Sequence, residues 1–204
     1  MSVRQSLLAI LDQGPCYGYQ LRAEFQRRTG STWPLNVGQV YNTLERLERD
    51  GLVARGDADD QGHVFWEITA EGRGEVASWL GLPVEPGRGA RDDLAIKVAL
   101  AATLPGVDLG AVIRTQRDAV TRRLERLRDT QTAESDRAAD EGPEQLARAL
   151  VMESMVLQAE AEAAWLDRVE QRVAAHPGHA VALGLSSERP RRGRPARATA
   201  TARA

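Results

Sequence analysis

With 204 residues, 42% of them apolar, the chain is long enough for one large buried core or two small ones. No apolar run approaches the ~20 residues of a membrane span, no signal-peptide core opens the chain, and the lone cysteine, Cys16, excludes an internal disulfide, so a reducing cytoplasm without membrane attachment is expected. The net charge of −2 hides an acidic body and a basic end: residues 1–80 hold 8 basic and 11 acidic side chains, residues 81–185 hold 13 and 17, and residues 186–204 hold 6 and 1.

Val3 to Gln13 carries Leu7, Leu8 and Leu11 on one side and predicts a first helix, stopped by Gly14-Pro15. Helical spacing resumes from Tyr17 to Arg28 through Leu21 and Phe25, and Thr29-Gly30-Ser31-Thr32 with Pro34 makes a turn. A third helix begins at Asn36, which forms a capping pair with Gln39. Val40, Leu44 and Leu47 give it an apolar stripe, and Asp50-Gly51 ends it with a left-handed glycine cap. Leu52 to Arg55 and Val64 to Thr69 are short β-prone runs around a polar turn, Gly56 to Gly62, and read as a hairpin. Thr69 then opens a fourth helix holding Val76, Trp79 and Leu80, and the Gly/Pro-rich stretch Gly81 to Gly89 marks a boundary.

The second half is helical throughout. Asp92 to Thr103 predicts one helix, Leu109, Val112, Ile113, Gln116, Val120, Leu124 and Leu127 outline a long second one, and a polar break at Asp140-Glu141-Gly142-Pro143 precedes a third. That last helix holds Leu146, Leu150, Leu157, Ala161, Trp165, Val169 and Val173. Seam-like spacing with few aromatics predicts burial against a second copy, which nominates Val120, Leu124, Leu127, Leu150, Leu157, Trp165 and Val169 for a dimer contact; an intrachain bundle is the alternative. From Ser186 onward Arg, Pro, Ala and Thr dominate, a composition expected to be disordered. The expected fold is mainly α with a small β-wing: an N-terminal winged helix-turn-helix over 1–81, a linker over 82–90, a C-terminal three-helix dimerisation and effector domain over 91–180, and a basic tail over 186–204.

A helix followed by a β-wing is how many small proteins read DNA. At 100° per residue the third helix turns Gly38, Asn42, Arg46 and Arg49 away from its apolar stripe, flanked by Gln39 and Tyr41. Amide, guanidinium and phenol groups suit base edges and phosphates. Glu45 and Arg49, four residues apart, are expected to pair. The acidic body argues the other way, because phosphate neutralisation supplies much of DNA affinity. His63, His176 and His179 are scattered, with Pro177-Gly178 predicting a turn between the last two, and Cys16 reads as a small buried residue rather than a redox switch. No phosphate-cradling loop, nucleophile elbow or catalytic dyad is visible, so no metal, cofactor or enzymatic activity is expected.

Several spaced motifs resemble the PadR family of bacterial transcriptional regulators: Gly14-Pro15-Cys16-Tyr17-Gly18-Tyr19-Gln20-Leu21, Gly38-Gln39-Val40-Tyr41-Asn42-Thr43-Leu44-Glu45-Arg46-Leu47-Glu48, Asp50-Gly51-Leu52-Val53, and Trp66-Glu67-Ile68-Thr69-Ala70-Glu71-Gly72. Glu160-Ala161-Glu162-Ala163-Ala164-Trp165-Leu166 resembles the C-terminal domain of the subgroup related to virulence-gene activators, so the likeness covers about residues 3 to 175. It implies a homodimer that binds an inverted-repeat operator in double-stranded DNA, represses until a small effector lowers its affinity, and dimerises through its C-terminal helices. Two-fold symmetry would place two recognition helices in successive major grooves, ~34–36 Å apart. The resemblance sets Tyr41 at the phosphate backbone, Gln39 and Asn42 at base edges, and Arg46 at guanine or phosphate. Tyr19, turned outward while Tyr17 packs inward, joins Arg22, Asn36 and His63 to complete the candidate DNA contacts of the winged domain.

The wing departs from the family pattern, because Asp57, Asp59 and Asp60 crowd its turn and His63 is the sole cation near the tip; deep insertion beside phosphates is therefore not expected. Arg192-Gly193-Arg194-Pro195 in the tail resembles the core of an AT-hook, which lies in narrow minor grooves; unspecific phosphate attraction and an inert tail are the alternatives. A small aromatic effector would fit a helix-lined cleft beside Trp165 and Trp79, with ordinary core packing as the competing reading. Two functions remain: a ligand-responsive repressor, or a winged-helix protein-interaction module that dimerises without specific operator binding.

Overall fold

Leu7, Leu8, Ile10 and Leu11 spread over about 160° of α1 (Ser2–Leu11), and with Ser6 and Ala9 buried beside them the second half of the helix is enclosed on all sides. In the computed structural model, which describes residues 2–87, 90–137, 142–175 and 182–186, it is central: α1 packs on α2 (Gly18–Arg28), α4 (Ala70–Gly81) and α5 (Ala90–Ala101). Between α1 and α2 the chain makes β1 (Cys16–Tyr17), which pairs antiparallel with β3 (Val64–Ile68), Cys16 opposite Trp66 and Tyr17 opposite Phe65. The other edge of β3 carries β2 (Val53–Ala58), giving the order β1-β3-β2. Helical spacing alone starts the second helix at Tyr17; the available edge of β3 instead draws that residue into extended backbone, and α2 begins one residue later.

The capping pair of α3 (Val37–Arg49) forms as expected: Asn36 Oδ1 accepts the Gln39 N–H at 2.8 Å and Gln39 Oε1 accepts the Asn36 N–H at 3.1 Å. Val40, Leu44 and Leu47 are fully buried. The helix ends at Gly51, φ +74°, and the Leu52 N–H returns to the Leu47 carbonyl at 2.9 Å. Strand β2 runs three residues past the Arg55 end that the sequence suggests, because a register shift between Arg55 and Ala58 lets it bulge and continue pairing. Thr69 caps α4 by accepting the Gly72 N–H at 3.1 Å. A Cβ at Gly72 would stand 2.2 Å from the Leu52 carbonyl oxygen, so only glycine lets α4 close onto the α3–β2 turn.

Two cores result, and α5 belongs to both. Ile96 and Leu100 join the core of the winged-helix elements, while Leu94, Val98 and Ala101 face α6 (Leu109–Arg137) and α7 (Pro143–Ala175). Helices α6 and α7 run antiparallel, cross-linked by Arg117 to Asp167 at 2.7 Å and to Glu170, by Arg123 to Glu162 at 3.0 Å and by Arg128 to Glu160 at 2.7 Å. Val120, nominated for a dimer contact, is buried in this core within one chain, and Leu124, Leu127, Trp165 and Val169, nominated with it, pack against the core half-buried. Of the residues nominated for the dimer, Leu150 and Leu157 are exposed, 57% and 56%, joined by Leu146, Val151 and Met155.

The segment between α4 and α5 is clamped rather than open. Lys97 Nζ donates to the Leu82 carbonyl, and the buried Gln116 exchanges two hydrogen bonds with Val84, accepting its N–H at 2.6 Å and donating to its carbonyl at 3.3 Å. Among the described residues no helix is long and apolar enough to cross a membrane.

Candidate nucleic-acid interface

Burying Val40, Leu44 and Leu47 obliges α3 to present its other side to solvent. Gly38, Gln39, Asn42, Glu45, Arg46 and Arg49 are exposed along it. The helix is held at its start by two contacts with α2. Tyr41 lays its ring over Gly18, where a Cβ would come within 2.7 Å of Cζ, so glycine there brings the start of α2 against α3. Arg22 Nε donates to the Leu35 carbonyl at 2.8 Å and pins the turn just before Asn36. Arg22 thus orients α3 from behind.

The cap restricts what the amides do. Gln39 Oε1 accepts the Asn36 N–H, which ties the amide to the start of its own helix; a bidentate adenine contact needs donor and acceptor turned together toward the base edge. Asn36 likewise spends its Oδ1 on the cap. Asn42, exposed one turn into the helix, is the amide with both groups available. Arg46 stands exposed one turn further on, and the ion pair expected between Glu45 and Arg49 does not form. Holding two exposed long side chains in one geometry gains little in water. Tyr17 is buried at 2% exposure while Tyr19 is half-buried at the start of α2, the outward choice that the sequence reading made between them.

In the wing, His63 is turned inward. Its ring stacks on Tyr17 with centroids 4.6 Å apart, and Nδ1 lies 3.1 Å from Asp59 Oδ2. Asp59 accepts the main-chain N–H groups of His63 and Gln61, both at 2.9 Å, and these bonds hold its carboxyl below the usual carboxylate range. Asp59 is therefore what folds the tip, and Asp57 and Asp60 are the acids left exposed. The cation that sequence reasoning passed over is Arg55: its guanidinium lies 4.9 Å from the Trp66 ring centroid and 3.5 Å from Glu48 of α3. The bulge in β2 is the signal that was missing, since it carries the strand beyond Arg55.

Cys16 is fully buried, and desolvation pushes its thiol up to about 12, so it is inert at neutral pH. Trp165 lines a cavity of about 340 Å³ between α5 and α7 with Asp92, Leu94, Ala95, Ala161 and Glu162. Trp79 packs against the winged-helix core instead, so the two tryptophans share no cleft. Arg192, Gly193, Arg194 and Pro195, like His176 and His179, lie outside the described residues.

This frame has relatives. Residues 7–78 match the transcriptional regulator PadR-like family, and residues 90–174 match the virulence activator alpha C-terminal family. The chain is a PadR-like transcriptional regulator. The probable transcriptional regulator Rv1176c of Mycobacterium tuberculosis is 26% identical over 184 residues, covering 84% of this chain and 97% of that protein. Bacillus subtilis PadR in complex with operator DNA is similar at 18% identity with a TM-score of 0.38, over 81% of this chain and 94% of that one. The Vibrio cholerae virulence activator AphA is similar at 20% identity with a TM-score of 0.37, over 85% and 99%. As a PadR-like protein the chain is a DNA-binding regulator and not an enzyme.

Proposed function

We propose that this PadR-like protein is a repressor that binds a palindromic promoter operator as a homodimer and is released by a small-molecule effector. The observation that carries the reading is the uncommitted side of α3, where Asn42 and Arg46 stand exposed on a helix whose start is bolted down by the Asn36 cap, Arg22 and Tyr41. Asn42 reads a base edge and Arg46 a guanine or phosphate. The exposed Leu146, Leu150 and Leu157 fall within about 40° of one another around α7, a stripe that a second copy covers, and two-fold symmetry then sets two α3 helices one DNA turn apart. Such a protein works on cytoplasmic DNA.

Release has a route. Glu162 lines the Trp165 cavity and accepts from Gln116 Nε2 at 2.8 Å, and Gln116 holds Val84 in the segment joining the two cores. A flat ligand that engages Glu162 therefore pulls on the joint. The exposed Asp57 and Asp60 favour the second reading, an interaction module without operator binding.

Fluorescence anisotropy of the full-length protein on its own upstream DNA, with a shuffled duplex as competitor at physiological salt, tests the proposal. Asn42→Ala and Arg46→Ala are each expected to weaken specific binding by about 1–3 kcal/mol, roughly 5- to 150-fold. Wild-type affinity in both variants would falsify the assignment of α3 as the reading helix, and no specific binding by the parent would favour the interaction module.

A further inference from the structure

Residues 182–186, beyond both family matches, return to the winged-helix elements and dock there. The docking is read mainly through the main chain. Leu183 donates its N–H to the Thr103 carbonyl at 2.8 Å; Arg28 Nη2 donates to the Leu183 carbonyl at 2.8 Å and Arg27 Nη2 to the Gly184 carbonyl at 2.6 Å. Ser186 donates its N–H to Glu24 Oε1 at 2.8 Å, and Leu185 inserts its side chain against the first core beside Gly14. Beneath the strap lies a buried ion pair, Glu24 and Arg28 at 3.2 Å, with side chains 1% and 0% exposed. A buried pair is tolerated when its remaining donors and acceptors are satisfied, and the strap supplies two of those partners.

We infer that this strap grafts the arginine-rich tail onto the winged-helix domain, turning an acidic DNA-binding domain into a cationic one. The inference rests on the DNA-binding reading above. Residues 1–80 carry a net charge of −3 and residues 186–204 a net charge of +5, so the graft reverses the sign of the domain. Without the strap, the tail would begin from the end of α7. With Ser186 held on Glu24 of α2, a chain of 3.6 Å per extended residue reaches at most about 11 Å from that anchor by position 189 and about 29 Å by position 194. Phosphate neutralisation, missing from the acidic body, is thus carried by the winged-helix domain itself, for minor-groove or backbone contact by Arg192 and Arg194.

Two full-length variants separate strap from charge: Leu185→Asn, which keeps every arginine but loses the apolar anchor, and a chain with Arg189, Arg191, Arg192, Arg194, Arg197 and Arg203 changed to Gln. Operator affinity is measured across a salt series together with thermal unfolding. The glutamine chain is expected to lose about 10- to 100-fold in affinity, with a log–log salt slope shallower by about 3 to 5 and an unchanged Tm. Leu185→Asn is expected to lower Tm and to move affinity and slope most of the way to the glutamine chain. A chain ending at Val181 guards against misfolding: a synthetic peptide of residues 182–204 should restore its affinity and one of residues 187–204 should not. Full affinity and slope in Leu185→Asn would show a tail that acts as a free arm, and a glutamine chain that binds like the parent would show an idle tail; either result overturns the graft. A parent that binds neither operator nor shuffled duplex defeats the DNA reading and the graft with it, and the Tm of Leu185→Asn then reports on strap docking alone.

Discussion

Leu44 in α3 is fully buried, whereas Leu150 in α7 is 57% exposed, although each sits in a helical apolar stripe. Around Leu44 the chain supplies its own cover, from α1, α2 and the sheet, within residues 2–81 and α5. Around Leu150 it does not: α7 buries Ala159 and Leu166 against α5 and α6 and leaves Leu146, Leu150, Val151, Met155 and Leu157 to solvent. The difference teaches that a hydrophobic stripe announces a cover without saying whose chain provides it. The energetics differ accordingly, since a gap in the first core penalises the fold and a change on the second face should penalise only the dimer proposed to cover it.

Three variants sharpen that contrast. Leu44→Ala, inside the closed core, is expected to cost about 2–5 kcal/mol in denaturant unfolding; a cost under 1 kcal/mol would break the picture of a self-sufficient winged-helix core. Lys97, at the joint, comes next. Burial pushes its ammonium from 10.5 down to about 8 with no carboxylate among the described residues paired to it, so at pH 7 the folded protein bears the cost of a buried cation. Between pH 8 and 10.5 the unfolded chain holds a proton that the folded chain has released, and this contribution to stability rises with pH. Lys97→Met should therefore be more stable than the parent at pH 7 by about 1–3 kcal/mol, with the gap closing toward pH 10.5. The Cys16 thiol, raised from 9.0 to about 12, works in the opposite sense above pH 9 and cancels in this difference. A gap that does not change with pH would remove Lys97 from the account. On the open face, Leu150→Glu with Leu157→Glu should alter the fold of the protomer by no more than about 0.5 kcal/mol each. Sedimentation should nonetheless shift from dimer to monomer, and an unchanged mass would place the subunit contact elsewhere.

Much of the winged-helix half was legible residue by residue. The Asn36–Gln39 cap, the buried Val40, Leu44 and Leu47, the Gly51 terminus and the Thr69 cap of α4 all obey rules that span four or five residues. The α3 surface followed from the same periodicity. What was not legible depended on partners distant in sequence. Strand β1 exists because β3, nearly fifty residues away, offers it an edge. His63 and Arg55 exchange their expected prominence because Tyr17 and Asp59 draw one inward while the β2 bulge leaves the other on Trp66.

The sequence by itself determined the local grammar of this protein: where helices start and stop, which stripes are apolar, that a wing follows the third helix, and that an acidic body ends in arginines. Tertiary structure alone decided which stripes the chain covers itself, that His63 turns inward onto Tyr17, and that residues 182–186 return to lie on a buried Glu24–Arg28 pair. The physical reason is range. Capping, helical period and turn chemistry act between neighbours and are written in short windows, whereas burial and charge pairing depend on which distant segments arrive at the same place.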